Sequence, residues 1–159
     1  MTVIRLLTQM EFLEWLSKAV PTYAAEKVAS GAWSDGTALE LSRKEHETLL
    51  PAGKDTPGHY FYSILDDTGA QVGAIWFAAK DRGSDCVAYV YDVSVWPEHQ
   101  RRGHAFRAFQ AIESEVAQLG LAGIALHVFG HNTAAQALYA KLGYKPTNIN
   151  LFKPVVADA

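Results

Sequence analysis

The run Gln100-Arg101-Arg102-Gly103-His104-Ala105 holds the residue types that receive a phosphate anion. It follows an apolar stretch and leads into a helical pattern, so a helix begins inside it. A helix N-terminus leaves backbone N–H groups unpaired and carries partial positive charge, which suits phosphate. Gly103 permits close backbone approach, Ala105 leaves room, and Arg101 and Arg102 add charge. The same residues also fit a solvated turn in which Gly103 merely starts the helix. A second constellation is Asn132, Ala135 and Tyr139, which share one helical face because seven residues make about two turns. A small residue between two polar ones leaves a groove where a core face would hold larger side chains. The competing reading makes Asn132 an N-cap and Tyr139 a half-buried aromatic.

Proton-transfer candidates are fewer. Asp92 is the polar residue within a long apolar run, and a carboxylate there could accept a proton directly or through water; bonding to loop backbone is the alternative. Glu98 lies in a turn and reads as solvated. His59 opens a strand after a Pro-Gly turn, and His127 belongs to an apolar strand, where a satisfied imidazole is the ordinary outcome. Two nucleotide loops are excluded by the residues present. No Gly-Lys-Ser or Gly-Lys-Thr occurs, so a Walker-type loop fails, and no G-x-G-x-x-G follows a strand, so a dinucleotide fingerprint fails too.

The elements that must position these residues follow from pattern. Residues 2–6 form a short apolar run, after which Thr8 and Glu11 spell a capping box opening a helix with Phe12, Leu13, Leu16 and Val20. Pro21 should kink or split that helix, and a second stretch through Tyr23, Ala24 and Val28 should end at Gly31. Another helix is expected over about 34–50, before a turn-rich segment at 51–58. Residues 59–65 and 72–79 read as antiparallel strands of a hairpin. The run 86–95 should be a central strand, with Val87, Tyr89, Tyr91, Val93 and Val95 on one side and Ala88 and Val90 on the other. Ala105, Phe109, Ile112, Val116 and Leu119 mark a helix face on that sheet, ended by Gly120. A strand over 124–129, a helix over 132–142 ended by Gly143 and a last strand over 144–152 complete a β-α-β-α-β half.

With these elements in place the chain resembles the GNAT family of N-acetyltransferases. That family's pyrophosphate signature is Gln or Arg, two residues, Gly, one residue, then Gly or Ala, which Gln100 to Ala105 match. The segment from Leu126 to Tyr144, with its Asn132-headed helix and Leu-Tyr-x-x-x-Gly-Tyr ending, is also similar to GNAT sequence. The resemblance implies a mixed α/β fold: a central twisted sheet flanked by helices, an N-terminal helical pair, antiparallel strands, then the acyl-CoA-binding half. It implies a strand bulge at Val93, Ser94 and Val95 whose backbone binds the thioester carbonyl and pantetheine arm, and a pantetheine groove on Asn132, Ala135 and Tyr139. It further implies transfer of an acetyl group from acetyl-CoA to a primary amine by direct attack on the thioester, with Tyr139 protonating the departing thiolate and no metal. Asp92, beside the bulge, is the residue to which we assign the base. A lysine-like amine of pKa about 10.4 is more than three units from neutral pH, so freeing its lone pair costs roughly 4 to 5 kcal/mol unless the site helps. The alternative is a non-catalytic acyl-CoA-binding regulatory module. Tyr23, Trp33, Glu26, Asp35 and Glu40 should supply the acceptor side, leaving open whether the amine belongs to a small molecule or a peptide.

Composition sets the outer bounds. The chain of 159 residues fits one domain, 1–159, which at this size buries about 70% of the surface of its unfolded chain. A formal charge of −3 with pI near 6 provides no cationic footprint for nucleic acid. Cys86 is the sole cysteine, so no internal disulfide forms, consistent with a reducing cytoplasm. The longest strongly apolar run, 72–79, falls well short of the roughly 18 residues that span a bilayer. The first residues, with Arg5 followed by Thr8, Gln9 and Glu11, lack a signal-peptide core. A homodimer is left open.

Overall fold

Helix α1 (Gln9–Ala29) starts at the capping box that Thr8 and Glu11 spell. In the computed structural model, which describes residues 3–157, Glu11 N donates to Thr8 Oγ1 at 3.2 Å and Thr8 N to Glu11 Oε1 at 3.0 Å. Thr2, the first residue of the expected apolar run, lies outside the described residues; the rest of that run is strand β1 (Val3–Leu6). Glu11 also binds the Arg5 guanidinium through both carboxylate oxygens, at 2.7 and 2.8 Å, and accepts from Ser63 Oγ at 3.1 Å. The Arg5 bonds are the main reason its carboxyl is held down at about 2. One side chain thus fastens β1, α1 and the neighbouring strand together.

Pro21 does not split α1, which runs through it unbroken to Ala29. The lost N–H is one bond, whereas contacts hold both halves: Phe12 and Trp15 are buried before it, Ala24 after it, and Ser42 Oγ of α2 (Ala38–Leu49) donates to the Val20 carbonyl at 2.7 Å. Helix α2 begins at Ala38, four residues later than its pattern suggests, because the hydroxyls of Ser34 and Thr37 bond each other at 3.0 Å in a turn.

The sheet has the order β1-β2-β3-β4-β5, with β2 (His59–Leu65), β3 (Gln71–Arg82), β4 (Asp85–Val95) and β5 (Ile124–Leu126). The first four strands are antiparallel and β5 is parallel to β4. Period-2 alternation along β3 divides the core. Ala74 and Trp76 pack with Phe12, Trp15 and Phe61 toward α1. Ile75 and Phe77 pack with Phe109, Ile112 and Val116 of α3 (His104–Gln118), and Tyr139 of α4 (Thr133–Leu142) joins them.

Alternation along β4 does not hold throughout. Trp76 pairs with Asp92 but Phe77 pairs with Val90, so Tyr91 is the extra residue of a bulge. Ala88 and Val90 face α3 before it; Val93 and Val95 do so after it, while Tyr91 packs with the α1-side cluster. Val93 and Val95 therefore do not share a side with Tyr91, and the bulge falls two residues ahead of the expected Val93 to Val95.

Three further expectations are corrected. Leu119 is exposed because α3 stops at Gln118 and leaves it as the C-cap; Ala108 takes the buried place instead. Strand β5 ends at Leu126, three residues short of its apolar run. Residues 144–152 form no strand and are mostly exposed: Pro146 has no N–H to donate, and within its own chain the segment pairs with no strand.

Gly73 pairs with Val95, and a Cβ at Gly73 would collide with the Ser94 carbonyl. Backbone cannot rotate aside as a side chain can. Gly73→Ala should therefore lower stability by about 1 to 3 kcal/mol, read from urea denaturation midpoints at unchanged slope. Wild-type stability would mean that the β3–β4 contact is looser than described.

Candidate active site

The site originates where a strand ladder stops. Strand β5 pairs with β4 only from Ala88 to Val90, and the bulge at Tyr91 follows at once. Beyond it β4 continues to Val95 with no partner on that side among the described residues. Alternate backbone groups of an antiparallel strand point away from its neighbour, so those of the β4 end face open space where β5 would have taken them. A cleft of about 610 Å³ occupies this wedge. Asp92, Val93, Ser94 and Val95 line one wall, and His127, Val128 and Phe129, beyond β5, line the other.

Helix α4 closes the wedge with the face that spacing picks out: Asn132, Ala135 and Tyr139 all line the cleft. Asn132 Oδ1 accepts from Ala135 N at 3.1 Å, capping the helix, so its oxygen is engaged and its amide nitrogen is the atom left for a ligand. Tyr139 is buried, with its ring edge-on to Phe109 at 5.5 Å. Burial, then the nearby carboxylates of Asp92 and Glu26, push its hydroxyl up to about 12. At neutral pH it is protonated and can only give a proton.

Asp92 faces the opposite side of the cleft. Its Oδ2 accepts from Trp15 Nε1 at 2.9 Å, a contact between residues far apart in sequence. Burial pushes the Asp92 carboxyl above the ordinary range, while the Trp15 bond and His46 oppose that shift. Glu26 on α1 lines the same cleft and is also raised, by burial and then by Asp92. Trp76 stacks on Tyr91 at 4.5 Å beside them. Of the other base candidates, Glu98 is exposed and outside the lining, and His59 spends Nδ1 on Trp76 Nε1 at 3.0 Å while stacking on Tyr91. His127 lines the cleft, exposed.

The phosphate-type loop adjoins the cleft at one end. Gln100 lines it and donates from Nε2 to the Val95 carbonyl at 2.8 Å, tying the loop to the end of β4. Arg101 and Gly103 both take positive φ, 64° and 80°, a conformation that costs a non-glycine residue more. Helix α3 then begins without a side-chain cap, so its first-turn N–H groups are aimed at the loop. Arg101 and Arg102 are exposed, Ala105 is half-buried, and the His104 side chain is buried, its pKa lowered by burial and then by Arg107. Residues 101–105 lie outside the lining of the cleft itself.

Two residues in this arrangement escape sequence reasoning. Arg107 folds back so that Nη2 donates to the Arg102 carbonyl at 2.7 Å and Nη1 lies 2.5 Å from the place of a Cβ on Gly103. Its signal was its place one helical turn after Gly103. Trp15 had none, because nothing local ties it to Asp92.

Comparison with known proteins places the fold in a family. The family described as "Acetyltransferase (GNAT) family" matches residues 13–144. YdgE of Bacillus subtilis (strain 168), described as an uncharacterized N-acetyltransferase, is 33% identical over 92% of this chain and 94% of its own. The crystal structure of YycN from Bacillus subtilis superposes with a TM-score of 0.92 at 29% identity, covering 99% of this chain and 100% of that one. The structure of AAC(6')-Iy in complex with a CoA-containing bisubstrate analogue shares the fold, with a TM-score of 0.63 at 18% identity and 99% of each chain covered.

A ligand held by the loop before α3 should raise the melting temperature by binding the folded state alone. Acetyl-CoA is expected to do so for the wild type, and Gly103→Val to lose most of that shift, since Val resists positive φ and crowds Arg107. Differential scanning fluorimetry of both proteins is the check; equal shifts would remove the loop from the binding site.

Proposed function

We propose that this chain, which belongs to the GNAT acetyltransferase family, moves the acetyl group of acetyl-CoA onto a primary amine bound between α1 and the end of β4. The observation that carries the reading is that one cleft joins the unpaired edge of β4 at Val93 to Val95 with a proton donor, Tyr139, and a raised carboxylate, Asp92. The pyrophosphate belongs at the loop of Gln100, Arg101, Arg102, Gly103, His104 and Ala105, where helix-terminal N–H groups and two guanidinium groups favour an anion. The pantetheine arm, with its amides, belongs in the wedge, where it can bond the β4 backbone as a strand would, with the Asn132 amide and the small Ala135 opposite.

In this reading the bound ammonium first gives a proton to Asp92, directly or through water, the neutral nitrogen attacks the thioester carbonyl, the C–S bond breaks, the nitrogen's second proton leaves to water, and Tyr139 protonates the departing sulfur. The site raises both groups, and because they start from different ordinary values they suit opposite tasks. Burial brings Asp92 toward the operating pH, where a base is most effective, and keeps Tyr139 protonated up to about 12. The acceptor side carries Tyr23, Glu26 and Glu45, which favours a positively charged amine. Turnover with a panel of amines, followed by released thiol, tests the reaction; no turnover with any of them would leave a binding module.

One variant tests the acid. Tyr139→Phe should keep acetyl-CoA affinity while lowering the single-turnover rate by roughly 10²- to 10⁴-fold; a rate within about threefold of wild type, with chemistry limiting, would exclude the acid role.

The pH profile tests the base. Asp92 works ionised, so kcat/KM should rise with pH through its raised pKa. Trp15 stabilises that ionised form, so Trp15→Phe should move the rising limb to higher pH, and Asp92→Asn should abolish it. A limb unmoved in both variants would assign the base elsewhere.

A further inference from the structure

Helix α2 buries a histidine where an apolar side chain would serve for packing alone. Its buried residues are Ala38, Ser42 and His46, spaced four apart on one face, and His46 is 8% exposed. The ring's Nδ1 lies 2.8 Å from the Ser42 carbonyl oxygen. A carbonyl only accepts, so Nδ1 carries the hydrogen and the lone pair of the neutral ring sits on Nε2. Nε2 bonds no other described residue. Among the described residues the one sealed side-chain nitrogen or oxygen without a partner is the Tyr144 hydroxyl, so Nε2 borders open space.

The packing identifies that space. The rings of Tyr23, Trp76 and Trp15 surround the imidazole at 5.8, 6.0 and 6.2 Å, and all three line the catalytic cleft, as His46 does. His46 also lines a second cavity, between α1 and α2, with Leu13, Leu16, Val20 and Leu39, and no other described residue lines both. Trp15 reaches from this ring to Asp92, whose carboxylate feels the charge of the imidazole. The other titratable groups on this side of the cleft are Tyr23 and Glu26 of α1 and Glu45 of α2 itself.

Acyl transfer has a use for such a lone pair. An ammonium becomes an amide by losing two protons, and Asp92, once protonated, accepts no more. We infer that His46 is the second proton acceptor, its Nε2 taking through water the proton that the nitrogen sheds after attacking the thioester. This rests on the transfer reaction proposed above. The carbonyl carbon gains a C–N bond and loses its C–S bond, and Tyr139 gives its proton to sulfur. One of the two collected protons then returns to Tyr139, and the other leaves to solvent. Imidazole is the side chain suited to taking and returning a proton near neutral pH.

Asparagine separates the two ring nitrogens, because its amide keeps a donor for the Ser42 carbonyl and places no base where Nε2 stood. His46→Asn should therefore lower the single-turnover rate by about 10²-fold, the lower end of what a positioned proton acceptor contributes, with acetyl-CoA affinity unchanged. His46→Ala should fall at least as far and be rescued by added imidazoles, more by the more basic ones, a trend that refilling a cavity would not produce. A rate for His46→Asn within about threefold of wild type, rescue indifferent to basicity, or a loss found at Glu26→Gln in its place would overturn the inference. With an active wild type those results leave the transfer reaction standing, whereas a wild type inert toward every amine would overturn both. The ¹⁵N shifts of the wild-type ring decide even if neither variant folds: neutral His46 should carry its hydrogen on Nδ1, and an Nε2–H tautomer would refute the acceptor.

Discussion

Everything in the site depends on the ladder between β4 and β5 stopping after Val90. Paired parallel strands lie about 4.8 Å apart and leave no space for a ligand. Where the pairing fails the strands can diverge, and the backbone groups of β4 that β5 would have taken become available. The bulge at Tyr91 is placed where this divergence begins. It adds one residue to β4, and the sides of all later residues exchange. Val93 and Val95 then anchor the strand end on the α3 side, and Asp92 meets Trp15 of α1. Without the bulge, Asp92 would point toward Phe109 and Ile112, where a carboxylate without partners is strongly disfavoured.

The same geometry accounts for the electrostatics. Asp92, Glu26 and Tyr139 come from a strand and two helices, yet Asp92 raises the proton affinity of the other two and Glu26 that of Tyr139, in addition to the effect of burial. In the proposed reaction, groups that share an environment but differ in ordinary pKa then take different roles, one giving and one accepting. Gly73 supports this at a distance. With no Cβ it lets β3 approach the Ser94 carbonyl closely, fixing the end of β4 to which Gln100 then ties the loop.

What the sequence made legible is local. The Thr8–Glu11 capping box, the α4 face of Asn132, Ala135 and Tyr139, and the glycine at 103 where α3 starts each depend on residues within about two helical turns, and each is present. What was illegible is set by partners distant in the chain. Whether Tyr91 or Val93 is the bulged residue depends on how β3 registers against β4, and an apolar run like 124–129 does not show where its ladder ends. Pro21 misled for the same reason, since Ser42 and the sheet hold α1 together across it.

The central claim is that the wedge between β4 and β5 binds acetyl-CoA through the β4 backbone. Amide hydrogen exchange with and without saturating acetyl-CoA, followed residue by residue, tests this most directly. The account predicts slowed exchange at the alternate residues of 92–95 whose amides face the wedge, where they gain acceptors, together with the first turn of α3 at 104–106. Protection confined to other surfaces, with 92–95 exchanging at the same rate in both states, would contradict it.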